Sequence, residues 1–280
     1  MRLMRKAFRP GVNLSAAHPL ISAEMRMRRA FPVVAALAIA AALTPAVWAS
    51  QEEVFEKAFS MEGVSKVSVE NVNGQINAQA WDKPYVKVRA VKTASSAETL
   101  SETEIRVRKV GDEIKIETVT PRRRRLFGFL DLGTRNVKVD YELWIPTAAV
   151  TRLETCNGRV EGSGFAADVS IDSVNGSIDL RDVTGPVKAT TVNGSVRVAF
   201  KGMLKKSHLE TVNGSVEIAF DKGSSVRYDL ETINGHIETD LDFKVEGKFG
   251  PKEAKGSFNG GTETLHCETV NGSIRLKTAG

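Results

Sequence analysis

The sequence predicts an all-β chain, a β-solenoid with coils of about 18–21 residues. Three observations lead there. One short pattern returns seven times, apolar and polar residues alternate around each copy, and no stretch after residue 50 carries a convincing helical period.

Six copies align without gaps: Leu153–Val160, Ile171–Ile178, Ala189–Val196, Leu209–Val216, Leu230–Ile237 and Cys267–Ile274. Leu209-Glu-Thr-Val-Asn-Gly-Ser-Val216 is representative, and a seventh copy lies upstream as Val69-Glu-Asn-Val-Asn-Gly-Gln-Ile76. Their corners are Asn73, Asn157, Asn175, Asn193, Asn213, Asn234 and Asn271. Gaps in the central array are 18, 18, 20 and 21 residues. The upstream gap of 84 is four times 21, so degenerate coils are expected to fill it. The last gap of 37 is close to two periods, with Phe258-Asn259-Gly260 as a displaced echo.

Each unit reads as strand, Asn-Gly turn, strand, second turn. Leu209, Thr211, Val216 and Ile218 can share one face, with Glu210 and Glu217 on the other. Val, Ile and Thr suit a pleated surface. Asn-Gly suits a position needing positive φ. Second turns fit at Asp182–Pro186 and Asp221–Gly223. If Asn-Gly closed hairpins, the units would form a meander or β-sandwich, with Glu210 opposite Glu217. Near-identity at a coil-like period favours stacking instead, because an Asn ladder along one edge can hydrogen-bond from coil to coil.

Residues 50–150 continue in the same idiom, as an irregular first half of one β-structure ahead of the regular array at 151–280. Strands are expected near Lys66–Glu70, Gln75–Trp81, Tyr85–Val91, Glu104–Val110, Glu113–Thr118 and Val137–Ile145, and one short helix within Ala94–Thr103. Residues 1–49 read as a signal peptide: Arg26, Arg28 and Arg29, an apolar run Phe31–Leu43, then Val47-Trp48-Ala49 before cleavage, with Met25 or Met27 as alternative starts. Export to a periplasm, or to the cell surface and beyond, follows. Cys156 and Cys267 lie at opposite ends of the array, so two free thiols filling core positions are expected.

With these residues in hand, the chain resembles a bacterial family of exported domains of unknown function regarded as adhesins. The likeness rests on the early Asn-Gly copy followed by Trp81-Asp82, on Tyr141-Glu-Leu-Trp-Ile-Pro146 leading into Leu153-Glu-Thr-Cys-Asn-Gly, and on the Glu-Thr-Val-Asn-Gly-Ser run. The family is similar to head-type autotransporter adhesin domains. That resemblance implies a right-handed β-solenoid and adhesion, and it assigns no site residues.

Composition narrows the function. The chain carries 39 Lys and Arg against 34 Asp and Glu, but its first 49 residues hold seven of the bases and one acid. The remainder is nearly neutral, which gives no case for nucleic acid. No nucleophile elbow, zinc-protease motif or phosphate loop is present, and no cofactor is implied. Acids recur at two repeat positions: Glu154, Asp172, Glu210, Glu231 and Glu268 at one, Glu161, Asp179, Glu217 and Glu238 at the other. Stacked carboxylates could take calcium at Glu210, Glu217, Glu231 and Glu238. His208 and His266 share a repeat position but sit several units apart, so no shared metal is expected. Arg122, Arg123, Arg124 and Arg125, followed by Phe127 and Phe129, could dock on anionic lipid. The reading is an exported, non-catalytic binding or scaffold module of the cell envelope, with a glycan or an envelope protein as partner. The alternatives are a carbohydrate-active enzyme on a β-solenoid and an envelope-stress accessory protein. Open coil ends would allow end-to-end self-association.

Overall fold

The computed structural model describes residues 50–120, 137–241 and 251–279. The signal-peptide segment and the loop bearing Arg122, Arg123, Arg124, Arg125, Phe127 and Phe129 lie outside the described residues. Among the described residues are twenty strands and one helix, Ala97–Glu102, capped by Ser96 where the short helix is expected.

Each Asn-Gly unit places one strand in each of two ten-stranded sheets. The strand running into the Asn lies in what we call the inbound sheet, and the strand leaving it lies in the outbound sheet. Ser207–Asn213 and Val216–Asp221 are one such pair. Equivalent strands of neighbouring units pair parallel and in register, with Leu153 beside Ile171, Ile171 beside Ala189 and Ala189 beside Leu209. Units therefore stack as coils rather than closing hairpins, and Glu210 and Glu217 belong to different sheets.

Alternation sets which side faces in. Leu209, Thr211, Val216 and Ile218 are all buried between the sheets, as the sequence pattern requires. Along one coil Leu209, Val216, Ile218 and Phe220 are almost wholly removed from water. Each such side chain contributes about 1.5–3 kcal/mol of transfer free energy. Tyr141 is 1% exposed, and its hydroxyl lies 2.7 Å from the Thr118 hydroxyl. Burial raises its phenol to about 12.

Stacking order departs from chain order at both ends. Asn73 sits directly beside Asn157, so degenerate coils do not fill the 84-residue gap between them. The intervening chain builds outward instead. Glu113–Val119 and Lys138–Pro146 lie parallel to the first coil, in the inbound and outbound sheets. Tyr85–Ala94 and Gln51–Ser60 extend the outbound sheet with antiparallel pairing, and Glu104–Val110 does so in the inbound sheet. Among its described residues, the 37-residue gap likewise holds no extra coil, since Asn234 lies directly beside Asn271. Lys252–Phe258 is an antiparallel edge strand beside Val226–Asn234, and Asn259 is a turn residue at φ +47°. The chain then inserts Glu263–Asn271 between Ser207–Asn213 and Val226–Asn234.

The coil ends are accordingly capped, contrary to the open ends expected. Gln51–Ser60, Glu104–Val110 and Lys252–Phe258 are charge-rich, and the last outbound strand, Ile237–Thr239, has three residues. Charge and brevity blunt an edge against pairing. Gln51–Ser60 escapes sequence detection because nearly all of it is exposed and it shows no alternation.

Candidate binding surface

The corners form one continuous rail. Asn157 Nδ2 donates to Asn73 Oδ1 at 2.7 Å, and Asn175, Asn193 and Asn213 each donate to the preceding Asn at 2.8–2.9 Å. Asn271 donates to Asn213 at 2.8 Å and Asn234 to Asn271 at 2.9 Å, so the side chains follow the stacking order. Gly176, Gly194 and Gly214 N–H groups donate to the Asn carbonyls of the next coil at 3.0–3.1 Å. Gly74 and Gly158 take the positive φ the sequence suggests, at +123° and +157°, but at the other five corners the glycine has a different reason. No corner Asn has positive φ, and neither do Gly176, Gly194, Gly214, Gly235 or Gly272. A Cβ on Gly194 would instead sit 2.3 Å from the Gly176 carbonyl oxygen, and one on Gly272 1.8 Å from that of Gly214. Close passage of adjacent coils excludes any side chain there.

Beside this rail, the outer face of the inbound sheet carries three rows. Nearest the corners runs an apolar row, Val72, Cys156, Val174, Val192, Val212, Val270 and Ile233, most of it exposed. Cys156 thus stands at an exposed position rather than in the core, as a free thiol. Cys267 is the fully buried one, in register with Leu209 and Leu230, and burial pushes its thiol well up. Next comes a mainly acidic row, Glu70, Glu154, Asp172, Thr190, Glu210, Glu268 and Glu231. Outermost are Arg152, Ser170, Lys188, His208, His266 and Asp229. At the N-terminal end of this face, a groove of about 930 Å³ is lined by Glu70, Arg106, Arg108, Glu117, Glu154 and Cys156 among others.

Charges along these rows neutralise each other. Arg152 meets Glu154 and lies 3.6 Å from Asp172. Lys115 bridges Glu70 at 2.7 Å and Glu117 at 3.0 Å, and Arg108 meets Glu117 at 2.5 Å. The Lys115 hydrogen bond, with Arg108 adding to it, holds the Glu117 carboxyl below its usual range.

The four acids considered for calcium do not come together. Glu217 and Glu238 lie in the outbound sheet with Arg275 between them, at 3.1 Å and 2.8 Å. Burial works to raise the Glu217 carboxyl, but hydrogen bonds from Arg275 and Arg197 outweigh it and hold it low. Glu210 and Glu231 lie in the inbound sheet, separated by Glu268. Lys255 sits among Asp229, Glu231 and Glu253 and fills the role of a cation there. The histidines are the reverse case. His208 and His266, expected several coils apart, are in-register neighbours because the last coil is inserted beside Ser207–Asn213.

Comparison with known proteins follows the geometry. A protein of Clostridium sporogenes, named as a candidate cell adhesion protein, has 14% identity and a TM-score of 0.48, covering 82% of this chain and all of its own. A candidate adhesin of Bacteroides fragilis has 11% identity and a TM-score of 0.39, covering 81% of this chain and 97% of its own. A candidate lipid-binding protein of Parabacteroides distasonis has 11% identity and a TM-score of 0.35, covering 82% of this chain and 97% of its own. No curated protein matches the sequence. The family described as Toastrack DUF4097 matches residues 60–277, which take in every Asn-Gly coil, and the chain belongs to that family.

Proposed function

We propose that this chain is an exported, non-catalytic binding module of the bacterial cell envelope that holds an extended ligand, a glycan or a partner protein, along the outer face of the inbound sheet. One observation carries the reading: the apolar row from Val72 to Ile233 repeats at coil spacing beside the Asn rail. At about 4.8 Å per coil, seven coils offer roughly 29 Å of regular contact. Such a surface suits a ligand that is itself long and repetitive. Cleavage after Ala49 would release the chain to the periplasm or the cell surface. The coil is taken as right-handed, like the head-type autotransporter adhesin domains it resembles.

The test is a glycan array and an envelope-protein pull-down, comparing the native chain with a Val174→Lys, Val192→Lys, Val212→Lys variant. These side chains are exposed, so the variant is expected to keep its strand signature by circular dichroism. A ligand retained by the native chain and lost by the variant supports the reading. Equal retention by both, or no ligand from either source, overturns it.

A further inference from the structure

We infer that His208, His266 and Glu210 form a binding site for one divalent transition-metal ion of the zinc, nickel or copper class on the outer face of the inbound sheet. His208 and His266 are 58 residues apart in the chain, yet the inserted coil sets them side by side. Their rings stack with centroids 4.8 Å apart and planes 11° from parallel. Glu210 is two residues past His208, hence on the same outward face, and its Oε1 lies 2.5 Å from His208 Nε2. One ligand atom from each of the three lies within 4.8 Å of the others. Ligand atoms sharing one tetrahedral ion at bonds of about 2.1 Å lie about 3.4 Å apart. All three side chains are partly exposed, at 42% for His208, 36% for Glu210 and 29% for His266, so modest rotation closes that difference.

Donor chemistry sets the class of ion. Two imidazole nitrogens with one carboxylate oxygen suit zinc, nickel and copper rather than calcium or magnesium, which want oxygen alone. The surroundings complete the site. Asp229, in register with His266, places Oδ2 3.9 Å from His266 Nδ1 and can orient that ring as an outer carboxylate does in histidine–metal sites. Its Oδ1 is buried with no hydrogen-bond partner, Lys255 Nζ being 3.6 Å away. Glu268 Oε2, 4.0 Å from His266 Nε2, offers a fourth donor. Lys188, in register with His208, and Lys255, beside Asp229, are flanking cations, and the carboxylates of Glu210, Glu268 and Asp229 offset them.

The site is tested on the tag-free chain carrying Cys156→Ser, which removes the exposed thiol as a competing ligand. Zinc and copper are titrated by calorimetry, and the copper-loaded protein is read by electron paramagnetic resonance. The expected result is one ion per chain and a copper spectrum with two imidazole nitrogens. Binding should be abolished by His208→Asn with His266→Asn and unchanged by His236→Asn, an exposed histidine outside the site. Asp229→Asn should weaken zinc by about tenfold or more. Absence of saturable zinc or copper binding in the micromolar range overturns the proposal, as does binding that survives loss of both histidines.

Discussion

At the scale of single residues, the corner glycines show how one residue type can be selected for two different reasons. Asn-Gly in a β-rich sequence ordinarily signals a backbone that needs positive φ, and Asn is then a tolerable second choice for the Gly. Here Gly194 and four other corner glycines lie outside the positive-φ region, and the constraint is the carbonyl of the adjacent coil, 2.3 Å from a Cβ on Gly194. The two explanations predict different mutants. If φ governed, Gly194→Asn would be milder than Gly194→Ala. Under close coil passage, both force the coils apart, and each costs about 1–3 kcal/mol. Asn193→Ala removes one donated and one accepted rail bond at an exposed site, at about 1 kcal/mol. Urea unfolding of the three variants checks this, and a near-native Gly194→Asn would restore the conformational explanation.

At the scale of the strand pair, much was legible because the local signal and the fold agree. Alternation around each Asn-Gly places Leu209, Val216 and Ile218 inside and Glu210 and Glu217 outside, as the sequence requires. What alternation cannot convey is which unit lies beside which, since every unit offers the same register. That is why Arg275 between Glu217 and Glu238, and the His208–His266 pair, escaped a reading that assumed chain order. Cys156 is a different case: alternation puts it at the outward Val position of its unit, and only its apolar character argues for the core. The Arg275 bridge has a pH consequence. In the folded chain Glu217 titrates below its ordinary value of 4.5. Above that value the carboxyl is ionised in both folded and unfolded chains, and the pairing contributes fully. As pH falls through the lowered folded value, the proton is bound more readily by the unfolded chain and that stability is lost. The melting temperature should therefore drop on acidification below 4.5, and it should drop less steeply in Glu217→Gln. Parallel acid profiles for the two proteins would show that this pairing contributes nothing to the acid sensitivity.

At the scale of the whole molecule, the insertion of the last coil decides which surfaces exist. Without it, Val226–Asn234 would rest directly on Ser207–Asn213, and the two histidines would be apart. With it, the apolar row runs through Val212, Val270 and Ile233 in that order. Cross-linking separates these arrangements. Residues in register on adjacent parallel strands have Cα atoms about 4.8 Å apart, within the roughly 4.4–6.8 Å a disulfide needs, whereas residues two strands apart are separated by about 9.6 Å. In a Cys156→Ser background, Val212→Cys with Val270→Cys should form an intramolecular disulfide on mild oxidation, while Val212→Cys with Ile233→Cys should not. All three positions are outside the core, so the substitutions leave the packing between the sheets untouched. A stack in simple chain order gives the opposite pattern. That outcome would remove the neighbouring histidines on which the metal site depends, while leaving the apolar row as a binding face in a different order.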